Sequence, residues 1–149
     1  MKKIRENRAL SAAAWLLFSV YIAVLLKLTV FRTGFGTYPF MSGSINMSLF
    51  GNYLMILGNR GYYTFAYLFF GNIVWFMPLG AFLRAFRQKG TALCVLCGFL
   101  LSLLIEISQY VFGTGVSELD DLILNTAGAA AGAWIGGLVL KRERDRATP

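Results

Sequence analysis

Histidine is absent from this 149-residue chain, cysteine occurs twice and proline three times. Without histidine the chain cannot build a histidine-ligated metal site or a Ser-His-Asp relay of its own. Cys94 and Cys97 have the Cys-x-x-Cys spacing of redox motifs, but they sit in an apolar helical stretch and read as small packing residues. Charge is scarce too: 14% of residues are charged, where soluble domains carry roughly 25%. With 57% hydrophobic residues and a mean hydropathy of +0.62, a soluble fold would leave apolar surface it could not cover. The formal charge of +7 would suit nucleic acid, yet the basic residues fall in short runs between apolar blocks. That is the arrangement of membrane topology, and no nucleic-acid partner is expected.

What is present is length in the right places. Residues 10–30, 63–83, 92–112 and 122–140 each approach or meet the ~20 residues a membrane span needs. In hydrocarbon every backbone polar group must be satisfied within its segment, so each stretch must be a helix. The expectation is an all-α, four-helix transmembrane bundle forming one domain over residues 1–149, multi-pass in a plasma membrane and surrounded by its lipids. Lys2, Lys3, Arg5 and Arg8 precede the first span, Arg84, Arg87 and Lys89 join the second to the third, and Lys141, Arg142, Arg144 and Arg146 follow the fourth. The positive-inside rule then puts both termini in the cytoplasm. The first apolar run exceeds the 7–15 residues of a signal-peptide core and reads as a retained span. The outer loop, residues 31–62, is apolar from Met47 to Leu57, which fits an interfacial or re-entrant element.

Pro78 removes a backbone donor from the second span and should kink it. Gly128, Gly132 and Gly136 form overlapping G-x-x-x-G units in the fourth span, built for close helix packing. The partner helix can belong to the same chain or to a second copy in a homo-oligomer.

The polar residues inside the spans share a depth. Counted at about 1.5 Å per residue from the outer ends, Lys27, Gln109 and Asn125 lie about 5 Å down, Glu106 about 9 Å and Asn72 about 13 Å, with Asp121 at the rim. Glu106 and Gln109 are three apart and share a helix face, as do Asp121 and Asn125 four apart. A carboxylate in hydrocarbon costs at least about 2.5 kcal/mol, so such groups face a bundle interior or a wet cavity. An outward-opening pocket lined by Lys27, Asn72, Glu106, Gln109, Asp121 and Asn125 follows, with Lys27 its one cation. Plainer roles stand beside this: interhelical hydrogen bonds for Asn72 and Asn125, interfacial acids for Asp120 and Asp121, snorkelling for Lys27.

These same residues carry a resemblance. The run from Gly71 to Gly80 reads G-N-x-x-x-F-x-P-L-G, that from Ser102 to Gln109 reads S-x-x-I-E-x-x-Q, and that from Asp120 to Gly128 reads D-D-x-x-x-N-x-x-G. Together they resemble the VanZ-like family of bacterial membrane proteins. Asn46 to Phe50 is similar to that family's N-L-x-P-F element, with Leu49 where proline is common. The resemblance covers about residues 46–136 and implies a four-helix membrane domain linked to low-level resistance to glycopeptide antibiotics, chiefly teicoplanin. It adds Asn46 and Asp120 to the site residues.

Two functions remain in view. One is a binding module whose outer pocket takes a polar head group on a lipid-linked cell-wall precursor, or the antibiotic itself. The other is an intramembrane enzyme acting on a lipid-linked envelope substrate with Glu106 and Asp121 as acid and base. Binding is favoured, because no nucleophile stands out: the cysteines lie near the opposite end of the third span, and Ser102 and Ser108 read as ordinary helix serines. No cofactor and no dedicated metal site are expected, although two carboxylates can also hold a divalent cation.

Overall fold

Asn7 starts the first helix: its side-chain oxygen accepts the N–H groups of Ala9 and Leu10 at 3.0 and 3.2 Å, a standard N-cap. A computed structural model describes residues 7–32 and 34–147, so Lys2, Lys3 and Arg5 of the basic tail lie outside the described residues. In chain order the elements are α1 (Arg8–Thr29), β1 (Ser44–Asn46), α2 (Gly51–Gly58), α3 (Tyr62–Ala81), a π-helical turn (Phe82–Phe86), α4 (Thr91–Phe112), β2 (Val116–Glu118) and α5 (Leu119–Ala147). Four of the helices are long and apolar enough to cross a membrane: α1, α3 with its π-helical extension, α4 and α5.

The fourth span begins earlier than its apolar run, at Leu119, which puts Asp120 and Asp121 in the first turn of α5 rather than in a loop. Acids there, with Arg144 and Arg146 in the last turn, suit the helix dipole. α4 closes at Gly113, whose φ of +62° is the left-handed cap that a side chain would strain. Past Pro78 the regular α3 gives way within a turn to the π-helical segment, and one turn before the proline the carbonyl of Trp75 accepts the Tyr21 hydroxyl at 2.6 Å.

The helix directions follow from cross-helix neighbours. A Cβ on Gly128 or Gly132 would overlap the carbonyl oxygen of Ile73 or Met77, and one on Gly136 would come within 2.9 Å of that of Ala81. The offset is constant, so α3 and α5 run parallel with their backbones almost touching. Gly80 returns the contact against the Ala129 carbonyl. The small-residue stripe is therefore packed against α3 of the same chain. α4 runs antiparallel to α5, with Gly98 facing Ala129 and Ser102 facing Asn125. α1 meets the basic end of the bundle through rings: Phe18 stacks on Phe82 at 4.0 Å, and Trp15 lies edge-on to Phe82 and under the Arg87 guanidinium. Leu25, Phe76, Leu79 and Ile105 form the core that joins α1, α3 and α4.

The connection between α1 and α3 holds a surprise for an all-α expectation. β1 pairs in parallel with β2, Asn46 opposite Glu118, as a small ribbon over one end of the bundle. Met41 and Gly43 tie the incoming strand to the carbonyls of Val111 and Tyr110. Most of the apolar run expected to be an interfacial or re-entrant element lies in α2, which packs Tyr53 against Phe65 and Phe69 of α3.

Candidate functional site

The ribbon end of the bundle holds the embedded polar residues. Glu106 and Gln109 stand on α4 and are only 5% and 6% exposed. Asn125, 5% exposed, and the half-buried Asp121 stand on α5, and Asn72 on α3. All five line one cavity of about 50 Å³, closed below by Leu25, Phe76 and Ile105. Leu28, Thr29, Asn72, Gln109 and Asp121 also line a wider groove of about 580 Å³, so the cavity opens into it. The groove's further walls come from α2, β2 and the end of α1, including Tyr53, Glu118 and Arg32.

The hydrogen bonds show how each group is held. Glu106 Oε2 accepts the backbone N–H of Glu118 at 2.7 Å, which anchors β2 over the cavity. Asn72 Nδ2 donates to Asp121 Oδ1 and, at 3.5 Å, to the Tyr53 hydroxyl. Gln109 Nε2 donates to the Thr29 carbonyl at 3.2 Å, one of the orphan acceptors at the end of α1. Asn125 Nδ2 donates to Ser102 Oγ at 2.9 Å, and Ser102 is fully buried. Glu106, Asp121 and Glu118 lie within reach of one another's charge. Burial, and then the charge of Asp121, push the Tyr53 hydroxyl above its ordinary pKa, so it stays protonated on the groove wall.

Three residues singled out in the sequence stand elsewhere. Lys27 is exposed and absent from the walls of both the cavity and the groove. Leu25 and Thr29, four apart, face inward, and at ~100° per residue Lys27 between them falls on the other side of α1. Asp120 is 2% exposed and receives the Phe50 N–H on both oxygens, at 2.9 and 3.0 Å. It clamps the chain where Phe50 adopts a left-handed φ of +54° to start α2, a conformation costing a bulky residue roughly 1–2 kcal/mol. Asn46 donates to Glu118 Oε1 at 3.0 Å across the ribbon and accepts the Ser48 N–H, so it ties the loop rather than lining the cavity.

Sequence reasoning passed over four residues. Glu118 binds Glu106 through its backbone N–H, accepts from Asn46 and Asn52 with its side chain, and lines the groove. Arg32, just past the first span, supplies the cation expected of Lys27 and acts on the charge of Asp121. Tyr53 belonged to an apolar run with no polar signal. Ser102, four residues before Glu106 and thus on its face, carried the one clue that could have found it. Among the described residues no group of three or more acids and cysteines is placed to hold a metal ion.

Comparison with known proteins adds what the geometry cannot. Residues 18–140 match the family described as VanZ/LLP1. Protein VanZ of Enterococcus faecium is 26% identical over 129 residues, which is 82% of this chain and 72% of the relative. No solved structure matches.

Proposed function

Because this chain belongs to the VanZ/LLP1 family, we propose that it is a multi-pass protein of a bacterial plasma membrane that lowers the action of lipid-bearing glycopeptide antibiotics of the teicoplanin kind. Both termini lie in the cytoplasm and the ribbon end faces out, since Arg84, Arg87, Lys89 and the last turn of α5 concentrate basic charge at the other end. The pocket then opens at the level of the outer leaflet and binds the polar part of an amphiphile: a lipid-linked cell-wall precursor, or the antibiotic by its own fatty chain. The observation that carries this reading is the convergence of Asn72, Glu106, Gln109, Asp121 and Asn125 from three spans on one cavity. Polar groups are too costly at that depth to be retained without partners. The groove adds a way in, with exposed apolar residues Leu28 and Leu68 on walls contributed by α1 and α3.

A second reading has an observation of its own. Glu106 and Asp121 line the same cavity, as a general acid and base would, and the chain would then modify a lipid-linked envelope substrate. Expression of the chain and of Glu106→Gln in a susceptible bacterium separates the two. Teicoplanin resistance and the amount of fluorescent teicoplanin held at the cell surface are measured together. A binding carboxylate loses both in parallel, by about tenfold in affinity for one charge-assisted hydrogen bond. A catalytic one loses resistance with surface binding unchanged. Full resistance from Glu106→Gln at equal expression would refute both.

A further inference from the structure

The unspent hydrogen-bonding capacity of the cavity indicates what group it receives. Each of two amides gives an N–H to the protein. Gln109 Nε2 is held by the Thr29 carbonyl, and since a carbonyl only accepts, the amide cannot be turned round. Asn125 Nδ2 donates to the Ser102 hydroxyl, a group that can also donate, so Gln109 is the amide whose orientation its partner fixes. Gln109 Oε1 and Asn125 Oδ1 are left buried with no partner, in residues more than nine-tenths buried and lining the cavity beside the carboxylates of Glu106 and Asp121. The cavity thus presents oxygen-bearing side chains from two helices, two of them with an unpartnered acceptor. Buried acceptors left unpaired are costly, so the cavity favours an occupant that donates hydrogen bonds.

Size and surroundings narrow it further. A water occupies roughly 10–15 Å³ on the measure that gives this cavity about 50 Å³. Room exists for a group of a few heavy atoms, and none for a sugar ring. Two carboxylates favour a cation, and an ammonium of the R–NH₃⁺ type brings three donors and no acceptor. Arg32 lines the groove but not the cavity, so a fixed positive charge waits where the next part of the ligand must lie. The exposed Leu28, Met55 and Leu68 give the groove apolar surface, with Leu28 shared by the cavity.

Resting on the amphiphile-binding reading above, we propose that the cavity receives the primary ammonium of a zwitterionic phospholipid-type head group. The ammonium sits among Glu106, Gln109, Asp121 and Asn125, the phosphate meets Arg32, and the hydrocarbon chain leaves the groove past Leu28 and Leu68. The acids line the cavity and Arg32 lines only the groove, which suits a head group that enters ammonium first with its phosphate behind.

The test uses the full chain purified in detergent, with displacement of a fluorescent-acyl phosphatidylethanolamine by unlabelled lipids of identical chains. Phosphatidylethanolamine should compete at least about tenfold better than phosphatidylcholine, whose trimethylated nitrogen donates no hydrogen bond. Glu106→Gln should shrink that preference to about threefold or less. Asp121→Asn should do the same, and serves if the first variant does not fold. Arg32→Gln should weaken both lipids alike and leave their ratio intact. Equal competition by the two lipids overturns the ammonium assignment while leaving amphiphile binding in place. Displacement by sodium or methylammonium chloride alone overturns it in favour of a free-cation site. Failure of every phospholipid to bind overturns the head-group assignment, while the amphiphile-binding reading is decided separately by the teicoplanin assay above.

Discussion

Asp120 and Asp121 are neighbours in sequence and should fail in opposite ways. One turn-step of about 100° on α5 separates them. Asp120 points its burial and both oxygens at the Phe50 N–H, whereas Asp121 joins Asn72 on the cavity wall. In Asp120→Ala one shared charge-assisted hydrogen bond is lost, worth about 1.5–3 kcal/mol. The favourable placement of a carboxylate at the start of α2 and in the first turn of α5 adds roughly 0.3–1 kcal/mol. The total, on the order of 2–4 kcal/mol, is enough to release Phe50 from its left-handed conformation. At about 2–4 °C per kcal/mol for a chain of this size, the unfolding midpoint should fall by on the order of 5–15 °C. Hydrogen exchange localises the effect: the Phe50 amide and those of α2 should lose protection first, while α3 and α5 keep theirs. Asp121→Asn keeps the shape and the Asn72 neighbour, so its midpoint should move by no more than about 1 kcal/mol of stability, while ligand binding at the cavity falls. The reasoning is refuted if Asp120→Ala is stable and inactive while Asp121→Asn is unstable.

Three further outcomes are expected. Gly132→Ala places a methyl on the Met77 carbonyl and must push α3 and α5 apart, for a loss of about 1–3 kcal/mol in thermal unfolding; Gly71→Ala meets open space and should gain about 0.5–1 kcal/mol of helix stability. Lys27→Ala should leave teicoplanin resistance and amphiphile binding unchanged at equal expression, since the residue is exposed and off both walls. In a background with Cys94 and Cys97 replaced by alanine, Met47→Cys should react with a membrane-impermeant maleimide on intact cells. Gln88→Cys should react only after permeabilisation, and the reverse pattern would invert the proposed topology.

The spans were legible because hydropathy acts over twenty residues at a time and tolerates single errors. Depth was legible for the same reason: position along a helix converts directly into height. Rotation about the helix axis was harder. Glu106 with Gln109, and Asp121 with Asn125, could be assigned to common faces because each pair supplied its own phase. Lys27 had no polar companion on α1, so nothing in its spacing told inward from outward, and it was placed on the wrong side. The ribbon was not legible at all. Ser44–Asn46 and Val116–Glu118 are three-residue strands whose partners lie 72 positions apart, with no period to detect and a pairing set by the loops they close. Asp120 was visible as an acid beside the membrane, but its role depends on Phe50, far along the chain. Contacts of that kind leave no local pattern.

The tight packing of α3 on α5 and the open groove beside α1 belong to one arrangement. Glycines at 128, 132 and 136 bring α5 against the carbonyls of α3 with no side chain between, so nothing polar can lodge in that seam. The embedded amides and acids are displaced to the remaining space, where α1, α3, α4 and α5 meet at the ribbon end. α1 is the least enclosed of the spans, with 6% of its apolar window buried against 39% for α5. It is held at the basic end by the ring stack on Phe82, near its middle by the packing of Leu25 and the Tyr21 hydroxyl, and at the ribbon end by the Thr29 carbonyl on Gln109. A wall with so few contacts costs little to displace. The hydrogen bond that holds its ribbon end is made by a glutamine that also lines the cavity and whose oxygen has no partner. A ligand that engages Gln109 therefore acts directly on the tether of the groove's most loosely held wall, and entry past Leu28 need not disturb the glycine seam that keeps the rest of the bundle together.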